Sequence, residues 1–172
     1  MGKDVNESVT FRIDSRKLET LRADAEENQV SLNTLVNQVL TNYIEWDMVA
    51  AKAGYAVFQK DALKEIFNAT NEETLKRIAS QSVNSSKDML LLMMGDYSLG
   101  VYLSLVKNRA RKSGFILREY RDEKARKIVI QHDMGRHWSM FFKEQTEEII
   151  HAMGYKAKVD YTDNTLVINI ES

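Results

Sequence analysis

A short segment near the start of the chain alternates between polar and apolar residues. Between residues 8 and 13 every second residue is apolar, namely Val9, Phe11 and Ile13. Because successive side chains of a β-strand point to opposite faces, this period of two predicts a strand with one apolar and one polar face. Asp14 or Ser15 follows as a predicted N-cap, since either side chain can accept hydrogen bonds from the first turn of a helix.

Helical spacing replaces this alternation after the cap. A first helix is predicted from residue 16 to about residue 28, and we expect Asn28-Gln29 to form the turn, with Asn28 in the left-handed conformation. Ser31 then caps a second helix, which continues toward Ala53 and ends at Gly54. Its apolar residues recur in steps of three and four: Leu32, Leu35, Val36, Val39, Leu40, Tyr43 and Ile44.

The apolar stripe of the second helix is too wide for a single chain to cover. One short helix and one strand cannot bury so many side chains, and one strand cannot form a sheet by itself. Both problems disappear if two chains pair. We therefore expect residues 1–53 to form a dimerisation domain in which two copies intertwine.

Three consecutive motifs in this domain carry a family resemblance: S-V-T-F-R-I-D, then R-K-L-E-T-L-R-A-D-A-E-E-N-Q, then V-S-L-N-T-L-V-N-Q-V-L-T-N-Y-I. With these motifs, residues 6–47 resemble a ribbon-helix-helix module of the Arc/MetJ/CopG superfamily. The resemblance covers about a quarter of the chain. The sequence departs from the family at the inter-helix turn, where Asn28-Gln29 replaces the glycine that is common there.

The resemblance implies that the partner is double-stranded DNA. In this superfamily two strands pair antiparallel across a dyad and enter the major groove, where each base pair shows a distinct pattern of donors and acceptors. The second helix begins against a phosphate, which its free N–H groups and dipole favour. Carried onto this sequence, the base readers are Ser8, Thr10 and Arg12, the phosphate-facing residues are Ser31, Leu32 and Asn33, and Lys3 and Arg16 complete the DNA-binding set.

Residues 54–172 predict a helix-rich α+β domain that ends in the order β-β-α-β-β. The predicted helices cover residues 61–67, 70–80, 96–112 and 135–153, with a short strand or an extended joint at 55–58 and a polar loop at 82–86. Thr70 to Glu73 is predicted to open its helix as a capping box, and Asp96 to cap the next. The two hairpins turn at Asp122-Glu123-Lys124 and at Asp163-Asn164.

The apolar run from Met89 to Val106 has the composition of a membrane segment. However, Asp96 and two glycines interrupt the run. Because a spanning helix needs about 20 consecutive, predominantly apolar residues, we expect a pair of buried core helices here and no membrane partner.

Composition and charge narrow the function. The chain has no cysteine, which excludes disulfides, thiolate metal sites and cysteine nucleophiles. It opens with no charged-then-apolar leader, so we expect a cytoplasmic protein.

The net charge of −1 is unevenly distributed along the chain, because the N-terminal part is acidic. Residues 1–50 carry five basic and nine acidic groups, and because cations on phosphates supply much of the affinity for DNA, we expect this domain to bind modestly by itself.

A basic segment lies between residues 107 and 127, which carry nine cationic and three carboxylate side chains. It could form a second nucleic-acid or anionic-ligand surface. We favour a structural interpretation, because the first four cations lie at a helix C-terminus, where the dipole stabilises them. The others lie on a hairpin edge, where charge discourages the addition of further strands.

His132, Asp133 and His137 are the weak candidates for a metal site, with His151 as a further ligand. The two histidines of this segment lack the i, i+4 spacing that puts two ligands on one helix face, and Asp133 serves equally well as a helix cap. No glycine-rich phosphate loop and no nucleophile elbow occurs in the sequence. We therefore expect no catalytic site, no resident metal and no cofactor.

The sequence thus predicts a homodimeric, sequence-specific DNA-binding transcriptional regulator. Two roles stay open for residues 54–172: sensing a small-molecule effector, through Tyr102, the methionines and the turn from Asp133 to Trp138, or assembling dimers into a dimer of dimers. Two other functions are the alternatives. One is an antitoxin-like protein whose C-terminal part neutralises a partner protein, and the other is a metal-dependent enzyme that uses His132, Asp133 and His137.

Overall fold

A computed structural model describes residues 7–50, 52–122 and 125–171 of the chain. Two compact units divide the molecule, Met1–Asp47 and Met48–Ser172. The sequence analysis placed the boundary after residue 53, whereas the two units of the structure meet between Asp47 and Met48. The molecule is mixed α+β, and the strands within the described ranges all belong to the second unit.

The first unit is a hairpin of two helices, α1 (Ser15–Glu27) and α2 (Leu32–Asn42), followed by one turn of π-helix at Tyr43–Asp47. Asp14 caps α1 as predicted, because its carboxylate accepts hydrogen bonds from the backbone N–H groups of Arg16 and Lys17. Ser31 caps α2, also as predicted, and accepts from the N–H of Thr34 at 3.0 Å.

The turn between α1 and α2 corrects one prediction. Asn28 remains at φ −83°, and it is Gln29 that adopts the left-handed conformation, with φ 55°. Two backbone hydrogen bonds define a Schellman motif, from Gln29 N–H to the Glu26 carbonyl and from Val30 N–H to the Ala25 carbonyl. Asn28 is held at the C-cap because its side-chain amide donates to the carbonyl of Asp24 at 2.8 Å, so the left-handed position falls one residue later.

The predicted strand at residues 8–13 is absent, and this prediction was wrong for the single chain. Residues 7–14 form neither helix nor strand, and the first regular element is α1. A strand exists only when its backbone groups bond to a neighbouring strand. Within the described residues the sheet consists of four C-terminal strands, none of which pairs with this segment.

The second unit begins with the single turn α3 (Met48–Ala50), which Gly54 follows at φ 83°. Of the two predictions for residues 55–58, the short strand is absent, and the segment forms neither helix nor strand. Tyr55 is instead attached to the helical layer, because its hydroxyl forms a hydrogen bond with Arg109. The other helices of the unit are α4 (Lys60–Ala69), α5 (Glu72–Met94), α6 (Leu99–Lys112) and α7 (Arg136–Ala152).

Helix α5 is longer than predicted, because the polar stretch at residues 82–86 is helical. The hydroxyls of Ser82 and Ser86 donate to helix carbonyls three and four residues back, at 2.7 and 2.8 Å. Because these hydroxyls bond to the helix itself, they do not form the local side-chain hydrogen bonds that stabilise a turn. Gln145 of α7 also donates to the Ser82 hydroxyl at 2.6 Å. Packing against α7 therefore overrides the local preference of the serines.

Two helix caps differ by one or two residues from those predicted. Asn71, not Thr70, caps α5 and accepts from the N–H of Thr74 at 2.9 Å. Ser98, not Asp96, stands at the N-cap of α6, and its hydroxyl donates to the Asp96 carboxylate. The helix ends agree with the sequence: Gly95, Gly114 and Gly154 have φ between 68° and 86°, a region that glycine enters without the steric cost of a Cβ.

The predicted β-β-α-β-β order is confirmed. Strands β1 (Ile116–Arg121) and β2 (Ala125–Gln131) form one hairpin, β3 (Ala157–Tyr161) and β4 (Thr165–Glu171) form the second, and α7 connects them. The hairpins join through β2 and β4 into one antiparallel sheet with the order β1-β2-β4-β3. The register aligns Ile128 with Ile168, and Ile168 with Val159, so the middle of one sheet face is aliphatic.

The core of the second unit lies between that face and the helices. The largest fully buried side chains are Leu90, Leu103, Leu105, Ile128, Met134, Met140, Ile149, Ile150 and Ile168. The run from Met89 to Val106 therefore supplies core residues, as predicted. No single helix in the described ranges is long and apolar enough to cross a membrane. Helices α5 and α6 reach the necessary length and apolar composition only when they are taken together, and that pair is bent by 89°.

Candidate nucleic-acid interface

The segment expected to read bases is fully accessible in the single chain. Residues 7–14 are all exposed, and this includes both sides of the predicted strand. The apolar residues Val9, Phe11 and Ile13 keep 67%, 61% and 43% of their surface. Single exposed apolar residues are common on proteins, but three large exposed apolar side chains within one short segment are not.

The start of helix α1 adds a cation beside this segment. Arg16 is 90% exposed, and its guanidinium lies 3.7 Å from the Asp14 carboxylate. An exposed ion pair of this kind contributes little to stability, so Arg16 can leave it to reach a phosphate. Lys3 lies outside the described residues.

The start of helix α2 has the properties of a phosphate site. The Ser31 hydroxyl satisfies only the N–H of Thr34 among the first-turn donors, and the first turn carries no acidic side chain. The helix dipole there favours an anion. Asn33 is exposed, and its carbonyl accepts from Asn37 at 2.8 Å. Leu32 is half-buried, so a phosphate at this helix start would contact its backbone N–H group and not its side chain.

The single chain assembles only part of the predicted site. Ser31, Leu32 and Asn33 are brought together by the cap of α2. Ser8, Thr10 and Arg12 stay in the segment before α1, and among the described residues no hydrogen bond or ion pair joins them to the α2 cap.

The first unit also lacks a core of its own. Between residues 7 and 47, only Ala25 and Leu35 are buried. One stripe of the second helix keeps 44% to 62% of its surface: Val39, Leu40, Tyr43 and Ile44. Together with Val9, Phe11 and Ile13, these residues form what we call the open apolar face of the first unit.

The second constellation singled out from the sequence surrounds His132, which is buried. Its Nδ1 accepts from the N–H of Met134 at 3.2 Å, and its Nε2 lies 3.0 Å from the Ser139 hydroxyl. The ring packs against Trp138, with the centroids 4.4 Å apart. Burial penalises the charged imidazole and lowers the pKa of His132 to about 4.

The other candidate metal ligands, Asp133, His137 and His151, each bind a different group of the protein and not His132. Asp133 forms a 2.8 Å ion pair with Lys60, and the hydrogen bond from Lys60 holds the pKa of Asp133 below its usual value. His137 binds the Phe67 carbonyl, and His151 binds the Ala157 carbonyl. In the described part of the chain, no group of three or more histidine and carboxylate side chains could hold a metal ion. His132, Asp133 and His137 therefore do not converge on one point.

The region expected to contact an effector is part of the core. Tyr102 is buried, and its hydroxyl donates to Thr146 at 3.2 Å; Met134 in the predicted turn is buried too. An open cleft of about 540 Å³ lies elsewhere in the second unit. Its lining comes from the end of α6 and from β1: Lys107, Asn108, Arg111, Gly114, Phe115 and Leu117.

Much of the basic segment at residues 107–127 has a structural role. Arg109, Arg111 and Lys112 lie in the last turn of α6, as predicted. Three other cations, Lys107, Arg121 and Arg126, contact the single carboxylate of Glu119. Burial raises the pKa of Glu119, but the hydrogen bonds from these cations lower it more, to about 2.

The sequence analysis missed two surfaces. One is the cleft, and its lining was visible only as part of the basic segment. The other is the outer face of the sheet, which carries Arg118 and Lys127 and can be located only once the strand register is known.

Compared with known proteins, the chain matches no family model and no curated protein.

Proposed function

We propose that the protein is a dimeric, sequence-specific DNA-binding regulator, and that its first unit is a ribbon-helix-helix module. The observation that carries the proposal is the open apolar face. A unit of about 40 described residues with two buried side chains has too little core to be stable alone. A second copy would cover the face.

Pairing also accounts for the missing strand. Two copies of residues 8–13 can bond to each other in antiparallel register, and Val9, Phe11 and Ile13 then point to the helices of the dimer. Ser8, Thr10 and Arg12 alternate with them, so they would point outward as a two-stranded ribbon of the width that the major groove admits. The strand would thus be a property of the dimer.

The polar residues then have distinct tasks. Arg12 is suited to bidentate hydrogen bonds with guanine, and Ser8 and Thr10 can donate or accept at several bases. The cap of α2, with Ser31, Leu32 and Asn33, holds a phosphate through backbone and side-chain donors. Lys3 and Arg16 flank the ribbon and contribute charge.

The folded second unit supports a regulator over an antitoxin. Its sheet, four longer helices and buried core make it an independent domain, unlike the short, poorly folded tail expected of an antitoxin. It would assemble dimers into a dimer of dimers or sense an effector. If it senses an effector, the open cleft lined by Lys107, Arg111 and Phe115 is the candidate location. Such a regulator would act in the cytoplasm.

The test is selection of bound sequences from a random pool of duplex DNA by the full-length protein. Arg12→Ala should weaken binding to the selected site by about 1–3 kcal/mol and relax the preference at one base pair. Asn33→Ala should weaken binding to all sequences alike, because phosphate contacts carry no sequence information. Arg22→Ala, which removes an exposed arginine from α1, is the matched control and should change neither.

Two outcomes would contradict the proposal. Recovery of no common sequence would argue against sequence-specific binding. A common sequence whose affinity and base preference are the same for Arg12→Ala and Arg22→Ala would show that residues 8–13 are not the reading element.

A further inference from the structure

The two faces of the C-terminal sheet differ in composition. The inner face carries Leu117, Ile128, Ile130, Val159, Leu166, Ile168 and Ile170, which are buried or half-buried. Helix α6 approaches this face at β1, where Lys107 contacts Glu119. Helix α7 packs on β3 and also satisfies its edge, since the Glu147 carboxylate accepts from the N–H of Val159 at 2.7 Å.

The outer face is covered by no helix of the second unit in the described ranges. Ile116 and Tyr120 on β1 each keep 54% of their surface. The other outward residues on the four strands are mostly polar or charged: Arg118, Ala125, Lys127, Val129, Gln131, Lys158, Asp160, Thr165, Val167, Asn169 and Glu171. An antiparallel sheet can present one polar face to water, and this one presents an exposed tyrosine ring among its polar residues.

The register aligns four of these residues in one row across the whole sheet. Tyr120 on β1 is opposite Lys127 on β2, Lys127 is opposite Asn169 on β4, and Asn169 is opposite Lys158 on β3. Because neighbouring strands are about 4.8 Å apart, the row is about 14 Å long. Arg118 lies two residues from Tyr120 on the same face, at a distance of about 7 Å along the strand.

The charges on this row are uneven. Lys158 is 3.1 Å from the Asp160 carboxylate, which also accepts from the Asn169 amide at 3.4 Å. Arg118 and Lys127 form no ion pair with any carboxylate of the described residues, and both are exposed. The half of the row next to Tyr120 is therefore a cationic surface around an aromatic ring.

We propose that this outer face binds a single strand of nucleic acid along the row Tyr120, Lys127, Asn169 and Lys158. Tyr120 stacks on one base, while Arg118 and Lys127 hold the phosphates on either side of it. Asn169, whose amide also donates to Asp160, offers its remaining donor and its carbonyl acceptor to the edge of the next base. Stacking on aromatic rings within a positively charged groove is the general means by which proteins hold single strands, and single-stranded bases are the ones free to stack.

The charge of the face argues against a second copy as the occupant. Face-to-face packing of two sheets needs an apolar layer between them, and here only Val129 and Val167 are apolar in the middle of the face, in a row that ends at Arg118 on β1 and Asp160 on β3. Stacking two copies would also bury Arg118 and Lys127, which have no carboxylate partner within the described residues, and burying an unpaired charge is unfavourable. Phosphates are the complementary partner. Duplex DNA fits less well, because the bases of a duplex are already stacked on each other and Tyr120 would have none to receive.

The experiment measures fluorescence anisotropy of labelled 12-nucleotide oligo(U) and oligo(dT) with the full-length protein. Tyr120→Ala should weaken binding about 10-fold or more, because one stacked base is lost, and Tyr120→Phe should bind within about threefold of the unchanged protein because the ring is kept. Tyr155→Ala removes a tyrosine of similar exposure outside the sheet, 44% against 54%, and should have no effect. The RNA and DNA arms show which backbone the face prefers.

The salt dependence tests the cations separately. Lys127→Gln should reduce the slope of log affinity against log salt by about 0.7, the value for one phosphate contact on a single strand. Lys76→Gln on α5, another exposed lysine, is the matched control.

Three results would overturn the proposal. One is the absence of oligonucleotide binding at low salt. Another is binding that falls equally in Tyr120→Ala and Tyr155→Ala, which would place the site elsewhere. The third is a change of sedimentation coefficient in Tyr120→Ala without oligonucleotide binding, which would make the face an interface between copies of the chain.

Discussion

His132 shows at the residue scale how a side chain with a catalytic appearance becomes a structural one. In the sequence it belongs to a turn segment with two histidines and one aspartate, and nothing there reveals that its ring is enclosed by Trp138 and Phe115. The hydrogen bond from Met134 N–H fixes the neutral ring with its proton on Nε2, toward Ser139. Such partners depend on the tertiary fold, so no local pattern predicts them.

Acidification should destabilise the protein through His132. In the unfolded chain this histidine takes up a proton near its ordinary pKa of 6.5, whereas burial holds the pKa in the folded state near 4. The unfolded state therefore binds more protons between these values, and stability falls as the pH drops from about 6.5 to about 4, by about 2–3 kcal/mol from this group. Urea unfolding at pH 7, 5.5 and 4 measures it.

His132→Asn should lower the free energy of unfolding at pH 7 and should flatten its decrease between pH 6.5 and 4. His151→Asn, at an exposed histidine, is the control and should keep the original slope. Equal slopes in the two variants would mean that His132 titrates near its ordinary pKa in the folded protein.

At the scale of elements, the sequence predicted most of the second unit because its local signals agree. The hairpin turns, the glycines that end helices and the amphipathic α7 all lie where periodicity and turn residues placed them. The failures have tertiary causes. Residues 82–86 read as a loop because three serines and an asparagine favour turns, and Gln145 of α7 holds the segment helical. The strand at 8–13 failed because its partner lies in no other part of the described chain.

The end of α1 offers a test at this scale. Gln29 occupies a left-handed position, with φ 55°, where a side chain costs about 1 kcal/mol. Gln29→Gly should therefore raise the free energy of unfolding of the first unit by about 0.5–1 kcal/mol, measured by thermal unfolding of the full-length protein. Asn28→Gly is the matched control, because φ is −83° there and the side chain donates to Asp24. That variant should be less stable, and a stabilising effect of both glycines would contradict the Schellman geometry.

At the scale of the whole molecule, the sequence predicted that two chains pair, from the apolar stripe of the second helix and the alternating segment before α1. The structure buries Leu35 of that stripe and leaves its C-terminal half exposed, together with the apolar residues of the alternating segment: Val39, Leu40, Tyr43, Ile44, Val9, Phe11 and Ile13. The outer face of the sheet could not be foreseen in this way. Tyr120 and Lys127 are separated by a turn in sequence and become neighbours only through the register of β1 and β2. Candidate sites that depend on pairing register therefore lie beyond what periodicity can show.

The last prediction concerns the dimer on which the proposed function depends. Val39 keeps 50% of its surface in the single chain, so a second copy that covers the open apolar face would bury it. Val39→Asp would place a charge in that interface, where an unpaired carboxylate costs several kcal/mol. Sedimentation of the full-length protein should then show a dimer for the unchanged chain and monomer for this variant, with binding to the selected duplex lost. Gln38→Asp introduces the same charge at the neighbouring exposed position of α2 and should remain dimeric. A monomer in the unchanged chain that still binds its duplex tightly would show that the apolar face has some other occupant.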